Sequence, residues 1–119
     1  MIPSFLLAKL YIKGSLKNTA DGFEFSLKNI IDNTMLSGIG PIMVGEKSYE
    51  GGVLRMTVGD KSWKGDEVSR TNPIPARMGN IIRVEVTGEK LPPGAQRVSV
   101  TATTADIGRI KFDISDNVA

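Results

Sequence analysis

The sequence predicts an all-β fold, a single-domain antiparallel β-sandwich over residues 1–119, with a closed β-barrel as the alternative closure. Three observations carry that prediction. Apolar and polar residues alternate with period two from one end of the chain to the other, as half-buried strands require. Thirteen glycines and six prolines fall between the alternating runs, which suits a chain that turns often. No stretch shows the 3.6-residue period of an amphipathic helix. One apolar face per strand needs a second apolar face to cover it, so two sheets stack or one sheet rolls closed, and the stacked form is preferred. A length of 119 residues is enough to enclose a modest core in one domain.

Each element follows from local pattern. In the first segment Leu6, Ala8, Leu10 and Ile12 alternate with Lys9 and Lys13, predicting a strand that Gly14 ends. Asn18-Thr19-Ala20-Asp21-Gly22 then supplies turn chemistry, and Phe23, Phe25 and Leu27 alternate with Glu24, Ser26 and Lys28, so these two strands are expected to pair as a hairpin. Between Asn29 and Gly52 the glycines and Pro41 predict only one or two short strands. Leu54, Met56 and Val58 make the next strand, Gly59-Asp60 the turn, and Ser62-Trp63-Lys64 the return. Residues 65–78 are polar and contain Pro73 and Pro75, each without a backbone donor, which predicts the longest loop. Three clear strands close the chain: Ile82/Val84/Val86, Val98/Val100/Ala102 and Ile110/Phe112/Ile114, expected to form a meander or part of a Greek key.

Composition excludes several kinds of chemistry. There is no cysteine, hence no disulfide, thiolate nucleophile or thiolate metal site. There is no histidine, which removes the commonest general base and any Ser-His-Asp triad within the chain. No catalytic residue, cofactor or metal is therefore expected. Fifteen basic and thirteen acidic residues are interspersed, so no concentrated basic stripe calls for a nucleic-acid partner. The apolar runs are too short to span a bilayer, and no membrane partner is expected; the default location is the cytoplasm.

The remaining candidates lie in turns and loops. Asp60, Asp66 and Glu67 flank Trp63, and an aromatic face bordered by carboxylates can bind a sugar; the plainer alternative is a tryptophan packed on the core beside solvated charges. Arg70 and Arg77 flank Thr71-Asn72-Pro73-Ile74-Pro75 and, with Lys61, Lys64 and Arg83, could dock a partner or an anion. Gly38-Ile39-Gly40-Pro41 has the look of a phosphate loop but lacks the Lys-Ser/Thr pair and the strand–helix setting. Thr101, Thr103 and Thr104 are expected on the solvent side of a strand.

The segment Gly14-Ser15-Leu16-Lys17-Asn18, followed by Asp21-Gly22-Phe23-Glu24-Phe25, resembles the small β subunit of C-glycoside deglycosidases and related domains. That resemblance implies a β-sandwich that assembles with a larger, metal-dependent barrel subunit, which holds most of the catalytic apparatus and cleaves a carbon–carbon bond between a sugar and an aromatic aglycone. No catalytic residue carries over. Short chains of similar appearance also bear the label hydroxymethylglutaryl-CoA reductase, although this sequence has no histidine, no nicotinamide fingerprint and too little length for that reaction. The expected function is an accessory subunit of a larger carbohydrate-active enzyme. The alternatives are a small-molecule or saccharide-binding module and a self-associating structural protein.

Overall fold

In the computed structural model, which describes residues 2–119, the alternation resolves into ten strands and one short α-helix. The strands are β1 (Lys17–Asn18), β2 (Gly22–Lys28), β3 (Thr34–Val44), β4 (Lys47–Tyr49), β5 (Leu54–Val58), β6 (Lys61–Lys64), β7 (Ile74–Ala76), β8 (Ile81–Thr87), β9 (Gly94–Thr104) and β10 (Gly108–Val118). One sheet has the order β1-β2-β8-β5-β6, the other β10-β9-β3-β4, with β7 also paired to β3. All pairings are antiparallel and neither sheet closes on itself, so the molecule is a sandwich.

Four local expectations are corrected. The N-terminal segment is helical: α1 (Ser4–Leu7) runs into a 3₁₀ turn, Ala8–Leu10. Leu7 and Leu10 are three apart and turn inward while Leu6 stays exposed, a spacing that one turn satisfies as well as a strand does. In the middle third, β3 is one continuous strand of 11 residues. Its glycines and proline create register shifts between Leu36 and Gly38 and between Ile39 and Ile42, so they bulge the strand instead of ending it. The proline-containing loop holds β7, whose Pro75 faces Met35 on a sheet margin where a missing N–H is tolerated. The last three strands are not a meander, because β8 lies between β2 and β5 in the opposite sheet from the β9–β10 hairpin.

The core is the space between the sheets, and it is filled unevenly. At one end Phe23, Val86 and Leu54 sit in register across β2, β8 and β5, and Tyr49 meets the Phe23 ring edge-on at 5.8 Å. At the other end Leu27 pairs with Ile82 in one sheet, while in the other short side chains take one position of each pair, Thr34 with Ala76, Thr104 with Leu36 and Ala102 with Ile39. Sheets stack about 10 Å apart, a gap that Phe and Leu bridge and Ala does not. The short side chains therefore leave a hollow.

Candidate functional site

That hollow is a cleft of about 280 Å³ between the sheets. Ile39, Ile42, Val100, Ala102, Ile110 and Phe112 form its wall on one side, Leu27, Ile82 and Val84 on the other. Leu7 and Leu10 of the N-terminal segment, with Ile2, complete the third side. The segment crosses from β10, which α1 packs against, to β2, where Tyr11 bridges Leu27 and the Ile12 N–H donates to the Ser26 carbonyl at 3.0 Å. It thus closes the gap between one edge of each sheet.

The mouth is polar in part and held by hydrogen bonds. Lys28, Asn29, Ile31, Asp32, Asn33, Asp106 and Ile107 surround it. Asn29 organises the near side: its Nδ2 donates to the Asp32 carbonyl at 2.7 Å and to the Ala76 carbonyl at 2.9 Å, while its Oδ1 accepts from the Ile31 N–H. Asn33 Oδ1 accepts from the Met78 N–H at 2.8 Å. Across the mouth, Thr104 Oγ1 donates to the Gly108 carbonyl and accepts from the Ile107 N–H, both at 3.0 Å, fixing the β9–β10 turn. Thr101 and Thr104 are thus buried, against the expectation of a solvent-facing row, and of the three only Thr103 is exposed.

Around this mouth Ile30, Ile31, Met35, Met78, Ile81 and Ile107 are all exposed. They come together by pairing: Ile81 faces Lys28, the Met35 carbonyl accepts from the Ala105 N–H, and Met78 is tied to Asn33. Ile31 and Ile107 line the mouth itself, while Met35 and Ile81 alternate with the inward-facing Leu36 and Ile82 and so face outward. Sequence reasoning missed this arrangement because these residues come from four separate segments. The sequence offers no signal for it, because nothing in the pattern tells an exposed isoleucine or methionine from a buried one.

The residues singled out by sequence lie elsewhere. Trp63 sits opposite Met56 on the edge strand β6, half-buried and packed against the core. Asp60 is in the β5–β6 turn, and Asp66 and Glu67 are in the 3₁₀ turn after β6. Four residues of β6 separate Asp60 from that turn, roughly 13 Å at strand rise. Glu67 Oε1 accepts from the Lys64 N–H at 2.8 Å, and the Asp66 carboxylate lies against Gly52. Arg70 and Arg77 are exposed on either side of β7, and Arg83 pairs with Glu85 at 3.2 Å. Among the described residues no group of three acidic side chains is placed to hold a metal ion.

A family model described as hydroxymethylglutaryl-CoA reductase, N-terminal domain, matches residues 6–119. The chain belongs to that family. No curated protein matches it. Membership in the hydroxymethylglutaryl-CoA reductase N-terminal domain family corrects the expected kinship with the small subunit of C-glycoside deglycosidases. Several of the residues behind that resemblance serve the scaffold. Ser15 Oγ donates to the Ile12 carbonyl and accepts from the Ser26 N–H, Leu16 is buried, and Asn18 bonds both the N–H and the carbonyl of Leu91. Such a motif can recur wherever a sandwich needs the same corner.

The word reductase in the family description raises the question of a nicotinamide cofactor. The residues present do not fit one. The cleft of about 280 Å³ is apolar and smaller than a dinucleotide requires, and Gly38 and Gly40 lie inside β3 instead of ahead of a helix.

Proposed function

We propose that this domain binds a compact apolar molecule in the cleft between its sheets and does so as a non-catalytic part of a larger enzyme. The binding reading rests on one observation above the others: an open, apolar-walled cleft of about 280 Å³ with Ile31 and Ile107 exposed at its mouth. An apolar occupant would cover the apolar walls that the open cleft leaves to water. The volume is about twice that of a cavity known to hold benzene, which suits a skeleton of two or three rings.

The accessory reading is supported by different facts. The chain has no histidine or cysteine, and its family description speaks of an N-terminal domain. A saccharide platform at Trp63 has weaker support, because the ring is half-buried and packs inward.

The test is titration of the neutral fluorophore N-phenyl-1-naphthylamine into the purified chain. Saturable, one-to-one enhancement at micromolar concentration is expected. A linear, non-saturating signal sinks the binding reading.

A further inference from the structure

The margins of the two sheets are not alike. β1, β4, β6 and β7 are two, three, four and three residues long, and β7 carries Pro75. Short strands and proline blunt an edge against pairing with another chain. β10, by contrast, ends its sheet with 11 residues, no proline and an unbroken register on β9 from Gly108 to Val118. The N-terminal segment adds no strand to it. Leu7 and Leu10 line the cleft beside the inward-facing Ile110 and Phe112, and Tyr11 and Gly14 bond the Asp116 side chain. Among the described residues only β9 pairs with the β10 main chain. The N–H and C=O groups that point away from β9 are therefore open to a further strand.

The side chains of β10 narrow what that strand can be. Arg109, Lys111, Asp113 and Ser115 are exposed on its outer face, and neither Lys111 nor Asp113 has an ion-pair partner among the described residues. A second copy of β10 laid antiparallel, with Phe112 opposite Phe112, sets Lys111 opposite the partner's Asp113 on both sides of the two-fold axis. In that register Arg109 faces the partner's Ser115, and Ile110 faces the partner's Ile114. Sliding one strand by two residues either way sets Lys111 opposite Lys111, or Asp113 opposite Asp113. Opposite charges directly across a strand pair stabilise it and like charges destabilise it, so one register is selected. α1, which packs against β10, also leaves Phe5 and Leu6 exposed. We infer that β10 is the interface with a second copy of this chain, the two strands pairing antiparallel about Phe112 into one continuous sheet. The paired stretch, residues 108–116, spans roughly 30 Å at strand rise. This interface is independent of what the cleft holds.

The experiment is sedimentation velocity on the 119-residue chain, at about 100 µM, where an interface of micromolar affinity is filled. The wild type should sediment as a dimer. Lys111→Asp sets like charges opposite each other at both symmetric positions and should raise the dissociation constant at least about tenfold. Asp113→Lys should do the same. Lys111→Asp combined with Asp113→Lys exchanges the charges and re-forms both opposite pairs, so the constant should return to within about threefold of the wild type. Both positions are exposed, and thermal melting within a few degrees of the wild type verifies that each variant folds. A monomeric wild type overturns the interface. A dimer that both single reversals leave unchanged overturns it as well, and places the contact away from β10. A combined variant as weak as the single ones overturns the register about Phe112.

Discussion

Asp116 holds two donors on one oxygen: the Tyr11 phenol at 2.7 Å and the Gly14 N–H at 2.8 Å both reach Oδ2. The phenol oxygen in turn accepts from the Leu16 N–H at 2.9 Å. This small network ties the N-terminal segment, and with it the wall formed by Leu7 and Leu10, to β10. Its titration follows from the geometry. The Tyr11 hydrogen bond, helped by the Gly14 N–H, holds the Asp116 carboxyl below its ordinary value of 3.8. Burial first, and the bond to Asp116 second, push the Tyr11 phenol above its ordinary value of 10.0. Asp116 therefore contributes stability that is complete above about pH 3.8 and is lost as pH falls through its lower folded value. Tyr11 contributes stability that is complete below about pH 10.0 and is lost as pH rises through its higher folded value. Tyr11→Phe should lower stability at neutral pH by about 1 kcal/mol, and its melting-temperature deficit should shrink as the buffer is taken below pH 4. A deficit that stays constant from pH 3 to pH 8 would mean that the network adds nothing beyond packing.

At the scale of the element, close backbone approach decides which glycines matter. A Cβ on Gly22 would stand 2.0 Å from the Val86 carbonyl oxygen, at the end of the β2–β8 pairing. Gly22→Ala should lower stability by about 3 kcal/mol, the upper range for forced overpacking. Gly45, at φ +60° with open space around its Cβ position, should lose only about 1 kcal/mol when changed to alanine. Urea unfolding of the pair measures the contrast, and equal midpoints would refute the close approach at Gly22. The same distinction explains what the sequence reveals of these elements. β2, β5, β8 and β10 were legible because each alternates about one buried face, β6 because Gly59-Asp60 marks its hairpin turn, and β9 from Val98, Val100 and Ala102 although Thr101 is buried as well. β3 was not, because Gly38, Gly40 and Pro41 carry the residue types of a turn and act here as bulges opposite β9. The N-terminal turn was not, because Leu6, Leu7 and Leu10 satisfy two periods over so short a run.

For the molecule as a whole, the sandwich was legible and the cleft was not. Stacked sheets follow from counting buried faces, which needs no knowledge of which strand pairs with which. The cleft depends on Thr34, Ala76, Ala102 and Thr104 arriving together at one end, which requires the β3–β7 and β3–β9 registers across about 70 residues of chain. Trp63, the conspicuous aromatic, drew the eye to the opposite sheet, where it seals an edge. The cleft can be tested as a packing defect independently of any ligand. Ala102 is buried in its wall, and a larger side chain there would extend into the hollow. In a close-packed core, Ala102→Leu would strain its neighbours and lower stability by ~1–3 kcal/mol. In an underfilled one it should raise stability by about 1 kcal/mol, or a few degrees in melting temperature. The same substitution should weaken N-phenyl-1-naphthylamine binding about tenfold, because it removes volume from the site. A higher melting temperature together with weaker binding is the combined outcome expected of a functional cleft. A lower melting temperature would show that the two sheets are already packed at this end. Unchanged probe affinity in a stabilised variant would place the probe at the mouth instead, where Ile31 and Ile107 are the next positions to change.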